Sequence, residues 1–268
     1  MSKNQLKKLL DEKAAEYNSS DFIKDDPISL PHRFSKLQDI EIIGFWTSML
    51  AWGRRAQIIK SGEKLLELMN NSPHDFILNH KEIDRKPFLL FKHRTFQPDD
   101  SIYFLEWLQW YYQNNNSLED AFAKHLKKGD EHVGPALQGF HNLFFSLPDA
   151  PNRTKKHIAS PARKSSCKRL NMFLRWMCRK DNKGVDFGIW QKIHTKQLLI
   201  PLDVHVERVA RKMGLLCREQ SDWQAVLELT QNLRQFDKND PVKYDFALFG
   251  LGVLEIDFDP LTKIKNTL

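Results

Sequence analysis

The chain has 268 residues, 41% of them apolar, and a formal charge of +7. That length can bury a real core in one large domain or two small ones, and that composition argues against a disordered chain. No run approaches the roughly 20 apolar residues that cross a bilayer. The lysines of the first ten residues lack the apolar stretch of a signal peptide, so a cytoplasmic protein is expected. The three cysteines, Cys167, Cys178 and Cys217, include no Cys-x-x-Cys pair. They argue against a disulfide framework, a zinc site or an iron–sulfur cluster. No cofactor is expected.

In chain order, nearly every long segment carries helical periodicity. Leu6, Leu9, Leu10 and Ala14 repeat at i, i+3, i+4 and i+8. Asp39 is read as the cap of a helix through Ile42, Ile43, Trp46, Met49 and Leu50. Gly53 interrupts it, a second helix runs through Ile58, Leu65 and Met69, and Asn70-Asn71-Ser72-Pro73 ends that one. Further helices are expected over Ser101–Tyr112, from Ser117, over Ser221–Phe236, and from Asp240 with Pro241 in its first turn. Strand alternation is nearly absent, so the fold class is all-α, with roughly ten or more helices. The expected division is an N-terminal helical extension over 1–34, a main domain over 35–255, a cleft between two lobes, and a tail over 256–268.

Charge is concentrated in one stretch. Residues 151–180 hold ten Lys/Arg and no Asp or Glu, so the rest of the chain sums to −3. Such a block points to a polyanion, nucleic acid first, or else to a solvated loop with basic helix ends. The ten histidines show no His-x-x-x-His spacing, so no metal site is expected.

Ile200-Pro201-Leu202-Asp203-Val204-His205-Val206 is the most specific segment. Pro201 disfavours helix at Ile200, and Asp203 is a good N-cap. Val206, Val209, Ala210 and Met213 then form one apolar face, opposite His205, Arg208, Arg211 and Lys212, until Gly214 ends the helix. On spacing alone Asp203 is simply a cap. The segment nevertheless resembles the catalytic-aspartate segment of the helix-hairpin-helix DNA glycosylases, such as endonuclease III and the 8-oxoguanine glycosylases, where the Asp is both cap and catalyst. Asp39 to Trp52 resembles the early helix after which those enzymes probe DNA. Phe246-Ala-Leu-Phe-Gly-Leu-Gly resembles their closing helix. The resemblance spans about residues 35–255, and its layout also matches an uncharacterised bacterial family.

The resemblance implies a helix-hairpin-helix bundle that takes double-stranded DNA with a damaged base, and a nucleophilic lysine ahead of the Asp. The usual Leu-Pro-Gly-Val-Gly hairpin is replaced by Ile158-Ala-Ser-Pro-Ala-Arg-Lys-Ser-Ser. After it, Leu170, Phe173, Leu174 and Met177 make an apolar stripe, with Lys168, Arg175 and Arg179 on another face and Ser165 or Ser166 as cap. This is nearest in pattern to the archaeal 8-oxoguanine glycosylases and implies Lys168 as nucleophile. Lys183 is the alternative, but it sits in a turn-like Lys-Asp-Asn-Lys-Gly run, a poor platform for a fixed nucleophile. Flanking Lys164, Arg169 and Arg175 would favour the neutral amine that attack requires.

DNA contacts are assigned to Arg163, Lys164, Arg169, Arg175 and His205. The Trp52-Gly53-Arg54-Arg55-Ala56-Gln57 turn joins them, with Trp52 or Gln57 as wedge and Arg54 and Arg55 on phosphates. The bland alternative for Trp52 is a buried side chain. Phe91 and Phe96 either stack on a base or belong to the core. Two functions follow: base-excision N-glycosylase with Schiff-base AP-lyase activity, or a non-catalytic DNA-binding protein that keeps the scaffold.

Overall fold

A computed structural model describes residues 1–254. These form thirteen α-helices joined by short 3-10 turns, with two isolated bridges and no strand among the described residues. The helices are α1 Lys3–Tyr17, α2 Ser20–Lys24, α3 Leu37–Leu50, α4 Arg55–Leu68, α5 Pro73–Asn79, α6 Glu82–Arg85 and α7 Pro98–Tyr112. They continue with α8 Glu119–Ala123, α9 Gly134–Phe144, α10 Lys168–Cys178, α11 Val204–Lys212, α12 Trp223–Arg234 and α13 Tyr244–Leu254. None of them is long and apolar enough to cross a membrane. The expected tail over 256–268 lies outside the described residues.

The fold is organised around α3. Every residue from Ile40 to Leu50 is buried, as a helix apolar on all sides must be. It packs against α4, α5 and α10. Gly44 lets α10 approach closely, since a Cβ there would stand 3.2 Å from Met177 Cε and 3.4 Å from the Phe173 ring. Phe45 sits among the rings of Phe104, Phe140, Phe144 and Phe173. Trp46, Trp107 and Trp176 are also fully buried.

The first 34 residues are part of this core. Leu10, Ile28 and Leu30 are fully buried, each worth about 1.5–3 kcal/mol of transfer. Helix α1 packs along α13. There Gly250 admits the Tyr17 ring, which a Cβ would meet at 2.0 Å. On its other flank α13 meets α11, with the Gly252 carbonyl facing His205 Nδ1 at 3.3 Å. The buried residues of the N-terminal segment and of the rest form one cluster.

Two expected caps are corrected. Helix α3 begins two residues before Asp39, whose carboxylate instead accepts from His74 N at 2.8 Å and so caps α5. Pro73 precedes that N–H, and no side chain of α5's own N-cap, Ser72, bonds to it. Neither Ser165 nor Ser166 caps α10. Its N-cap is Cys167 at φ 51°, with no side-chain cap bond, while Ser165 Oγ accepts from Cys167 N at 3.2 Å. The degenerate hairpin is two 3-10 turns, Asn152–Lys156 and Pro161–Arg163, followed by left-handed Lys164.

Candidate active site

A cavity of about 1170 Å³ lies where the N-terminal segment, the α3–α4 turn and the 94–95 loop face α10, α11 and α13. Lys168, the first residue of α10, projects into it, and so does Asp203, the N-cap of α11. Lys168 Nζ stands 3.9 Å from Asp203 Oδ2, both side chains about one-quarter exposed or less. The other carboxylate oxygen, Oδ1, accepts from His205 N at 2.9 Å and Val206 N at 3.0 Å. One oxygen therefore fixes the rotamer while the other faces the lysine. Cap and cavity-facing group coincide in a single side chain, because a capping oxygen leaves its twin directed away from the helix.

The floor contains two acids that sequence reasoning missed. Asp26 and Asp245 are 7% and 5% exposed, and both line the cavity. Asp26 Oδ1 caps a 3-10 turn through Ile28 N at 3.0 Å, and Asp245 Oδ2 pairs with Arg175. Among the described residues the remaining oxygen of each has no hydrogen-bond partner. Burial raises the Asp26 carboxyl above the ordinary range against the pull of Arg175, Arg55 and Lys168. Burial likewise pushes Asp245 up to about 7, opposed by Arg175 and reinforced by Asp203. A signal for Asp245 did exist: it is the single charged residue of the apolar run Tyr244–Leu254, and a buried charge needs a reason. Asp26 followed by Pro27 carried the local signal of a cap, but its place at the cavity comes from packing distant in sequence.

Several candidate DNA contacts take other roles. Arg175 is 4% exposed; Nε bonds Asp186 at 3.1 Å, Nη1 bonds Asp245, and the guanidinium lies 4.4 Å over Phe246. Arg179, on the same supposed cationic face, is paired with Asp181, Asp186 and Asp240. Arg169 donates to the Met49 and Lys156 carbonyls, and burial pulls it down to about 10. Arg153 pairs with buried Asp100. Four of the ten basic residues of 151–180 thus hold the fold together, and Arg175 is buried in ion pairs rather than presented on the surface. The apolar stripe of α10 was correctly read; the opposite face is not solvent but the α13 side of the molecule.

The others divide between the cavity lining and the open surface. Arg163 and Lys164 are exposed. Arg54, Arg55 and His205 line the cavity mouth, and Gln57 is exposed beside them. Trp52 is 49% exposed rather than buried. Arg94 lies 4.2 Å over its ring, and Arg55 lies 4.6 Å over the Phe249 ring. Gly53, at φ 117°, lets Arg94 cross the turn, since a Cβ would meet its guanidinium at 2.5 Å. Val204, 73% exposed, stands at the mouth with Trp52. Phe91 and Phe96 belong to the core. Lys183 is an exposed turn residue that does not line the cavity. Cys167, next to Lys168, is no nucleophile: burial pushes its thiol up to about 12. Among the described residues no three His, Cys, Asp or Glu side chains are grouped as a metal ion would need.

A family model described as "Protein of unknown function (DUF2400)" matches residues 26–254. The chain belongs to that family. The matched span begins at Asp26 and takes in every cavity-lining residue except Phe22. No curated protein and no solved structure matches the chain.

Proposed function

We propose that the protein is a DNA N-glycosylase with Schiff-base lyase chemistry, acting on a damaged base extruded from the duplex. The observation that carries this reading is the Lys168–Asp203 pair, 3.9 Å apart, in a cavity large enough for a base. Trp52, half-exposed at the rim, is shaped for the gap left by an extruded nucleotide, and Arg54, Arg55, Arg163 and Lys164 supply cations for phosphates.

The chemistry follows from the geometry. As the glycosidic bond lengthens, positive charge builds on the sugar, and Asp203 Oδ2 is free to stabilise it. The Lys168 amine attacks C1′, the C1′–N bond breaks, and its electron pair leaves with the base. The departing base takes the proton that Asp203 drew from the lysine ammonium, which restores the carboxylate facing the sugar. The new secondary amine then releases a second proton through Asp203 to O4′ as the C1′–O4′ bond opens, and the Schiff base results. In the resting structure the charge at ion-pair distance from Lys168 is a carboxylate. Arg175 is paired with Asp186 and Asp245, whereas Arg169 is held by backbone carbonyls. The amine proton must be handed on before attack, and Asp203 is the group in reach to receive it.

Borohydride trapping tests this on duplexes carrying abasic sites, oxidised purines and pyrimidines, uracil and alkylated purines. The expected result is a covalent adduct that Lys168→Ala abolishes and Lys183→Ala retains. Absence of base release and of adduct across that panel overturns the catalytic reading and leaves a DNA-binding scaffold. With about five phosphate contacts, affinity should fall several hundredfold between roughly 50 and 200 mM salt; a flat response removes DNA as the partner altogether.

A further inference from the structure

A second cleft, separate in its lining from the first, opens on the side of the molecule formed by α8, the 124–131 loop, the 192–197 segment and the end of α12. Its volume is about 950 Å³, and its lining carries seven Lys/Arg against three Asp/Glu. None of these residues belongs to the basic block of 151–180. They come from the remainder of the chain, which sums to −3. Positive charge has therefore been gathered here out of a background of the opposite sign.

The frame of the cleft is tied together and its charged tips are left free. Arg234, from the last turn of α12, donates to the Glu131 and Lys196 carbonyls, both at 3.1 Å, and so joins the two walls. Gln197 Nε2 donates to the Asp130 carbonyl at 2.9 Å, and Val133 N to the Gln197 carbonyl at 3.0 Å. Two of the three acids are engaged: Asp120 with Lys192, and Asp130 with Lys127 N at 2.8 Å. Lys124, Lys127, Lys128, Lys196 and Lys238 are all exposed. Among the described residues their ammonium groups make no hydrogen bond or ion pair.

We infer that this cleft binds the phosphate backbone of a nucleic acid, as a second contact on the flank of the duplex held at the first cavity. The free ammonium groups come from three separate segments with no common centre. That suits a ladder of phosphates rather than one small anion. The lining has no Phe, Tyr or Trp, so it offers no stacking platform and reads backbone rather than bases. Helix α12 relates the two places. Its first residue, Trp223, donates its N–H to the Lys164 carbonyl at 3.1 Å, beside the first cavity. Gln231 and Arg234, near its other end, line the cleft. Those ends are about 16 Å apart along the helix, which is about five base pairs of duplex at roughly 3.4 Å each.

The flank placement rests on the proposed reading of the first cavity; the phosphate affinity does not. The test compares the full chain with the triple variant Lys124→Gln/Lys127→Gln/Lys128→Gln, on abasic-site duplexes of about 25 base pairs and of about 10, the shorter with its abasic site about two base pairs from the cleft-side end. Wild type should bind the longer duplex with a steeper salt dependence. The variant should lose that gain, its log–log slope falling by roughly 2–3, while affinity for the short duplex and borohydride trapping stay unchanged. Equal slopes for wild type and variant on both lengths overturn the inference and leave the catalytic reading intact. A variant effect on long-duplex binding without any trapping by wild type upholds the cleft and sinks the catalytic reading. Binding of a poly-glutamate peptide that depends on the three lysines, with no effect on duplex, makes the cleft an acidic-protein site and overturns the inference. All three side chains are exposed, so the variant is expected to fold; its circular dichroism and melting curve check that.

Discussion

Two sets of carboxylates, one fully buried and one facing the cavity, divide the molecule. Glu41 is fully buried within α3 and accepts from Ser117 Oγ, Tyr112 Oη, Leu118 N and Trp190 Nε1, two donors to each oxygen. Asp100, at the start of α7, is also fully buried and accepts from Gln97 N, Thr154 Oγ1, His157 Nε2 and Arg153. Asp203, Asp26 and Asp245 differ. Each has one oxygen spent on a cap or an ion pair and one directed to the cavity. Both oxygens of each carboxylate in the first set are used to hold elements together, whereas each acid of the second set keeps one oxygen in reserve. A folded protein ordinarily satisfies its buried polar groups, and the unspent acceptors of the second set are open to the cavity, where water or a ligand can meet them.

The largest effect should come from the satisfied set. Glu41→Ala strands four donors in the core, each costing about 1–3 kcal/mol when left unpaired. A loss of roughly 4 kcal/mol or more in urea unfolding is expected, enough to leave little folded protein. A loss below about 1 kcal/mol would erase the distinction between the two sets.

The cavity set should respond in activity rather than stability. Asp203→Asn keeps the helix cap, so stability should change by a few tenths of a kcal/mol. Base release in single-turnover assays should nevertheless fall about 100-fold to 1000-fold, as for loss of one group that stabilises developing charge. Asp203→Ala should lose the same activity and about 1 kcal/mol of stability besides. If Asn and Ala variants remain active, Asp203 is only a cap.

The same contrast explains what was legible in the sequence. Asp203 was readable because its capping role is local: the residues that define it lie within a few positions of it. Lys168 was singled out by resemblance; the apolar stripe of α10 showed that a helix lies there but not its cap, which is Cys167. Their proximity was implied by resemblance and not by any local rule. The fate of Arg175 and Arg179 was invisible, because Asp186, Asp240 and Asp245 reach them across loops and from another helix. Asp39 misled for the same reason. Its residue type suits a cap, but the N–H it satisfies belongs to α5. Local chemistry names what a side chain can do, and long-range packing decides for whom.

A smaller effect distinguishes the two sets by the sign of their pH dependence. Although burial alone would raise it, hydrogen bonds from His157, Thr154 and Gln97 N hold Asp100 down to about 2, below its ordinary 3.8. Its contribution to stability is then present above the ordinary value and lost as pH falls through about 2. Asp245 is pushed the other way, from 3.8 to about 7. The unfolded chain ionises first, so its contribution is present at low pH and lost as pH rises through about 7. The stability gap between wild type and Asp100→Asn should widen as pH rises from about 2 to about 5. Between about 4 and 7, the gap for Asp245→Asn should instead shift in the variant's favour. Chemical denaturation at four or five pH values reads both. Asp26→Asn should change stability least, by under about 1 kcal/mol, since the amide oxygen can still accept from Ile28 N and burial already disfavours the charge there. Two pH profiles that move in the same direction would show that Asp245 is as fully committed to its ion pair as Asp100 is to its own donors. The reserve of acceptors in the cavity would then shrink to Asp203 and Asp26.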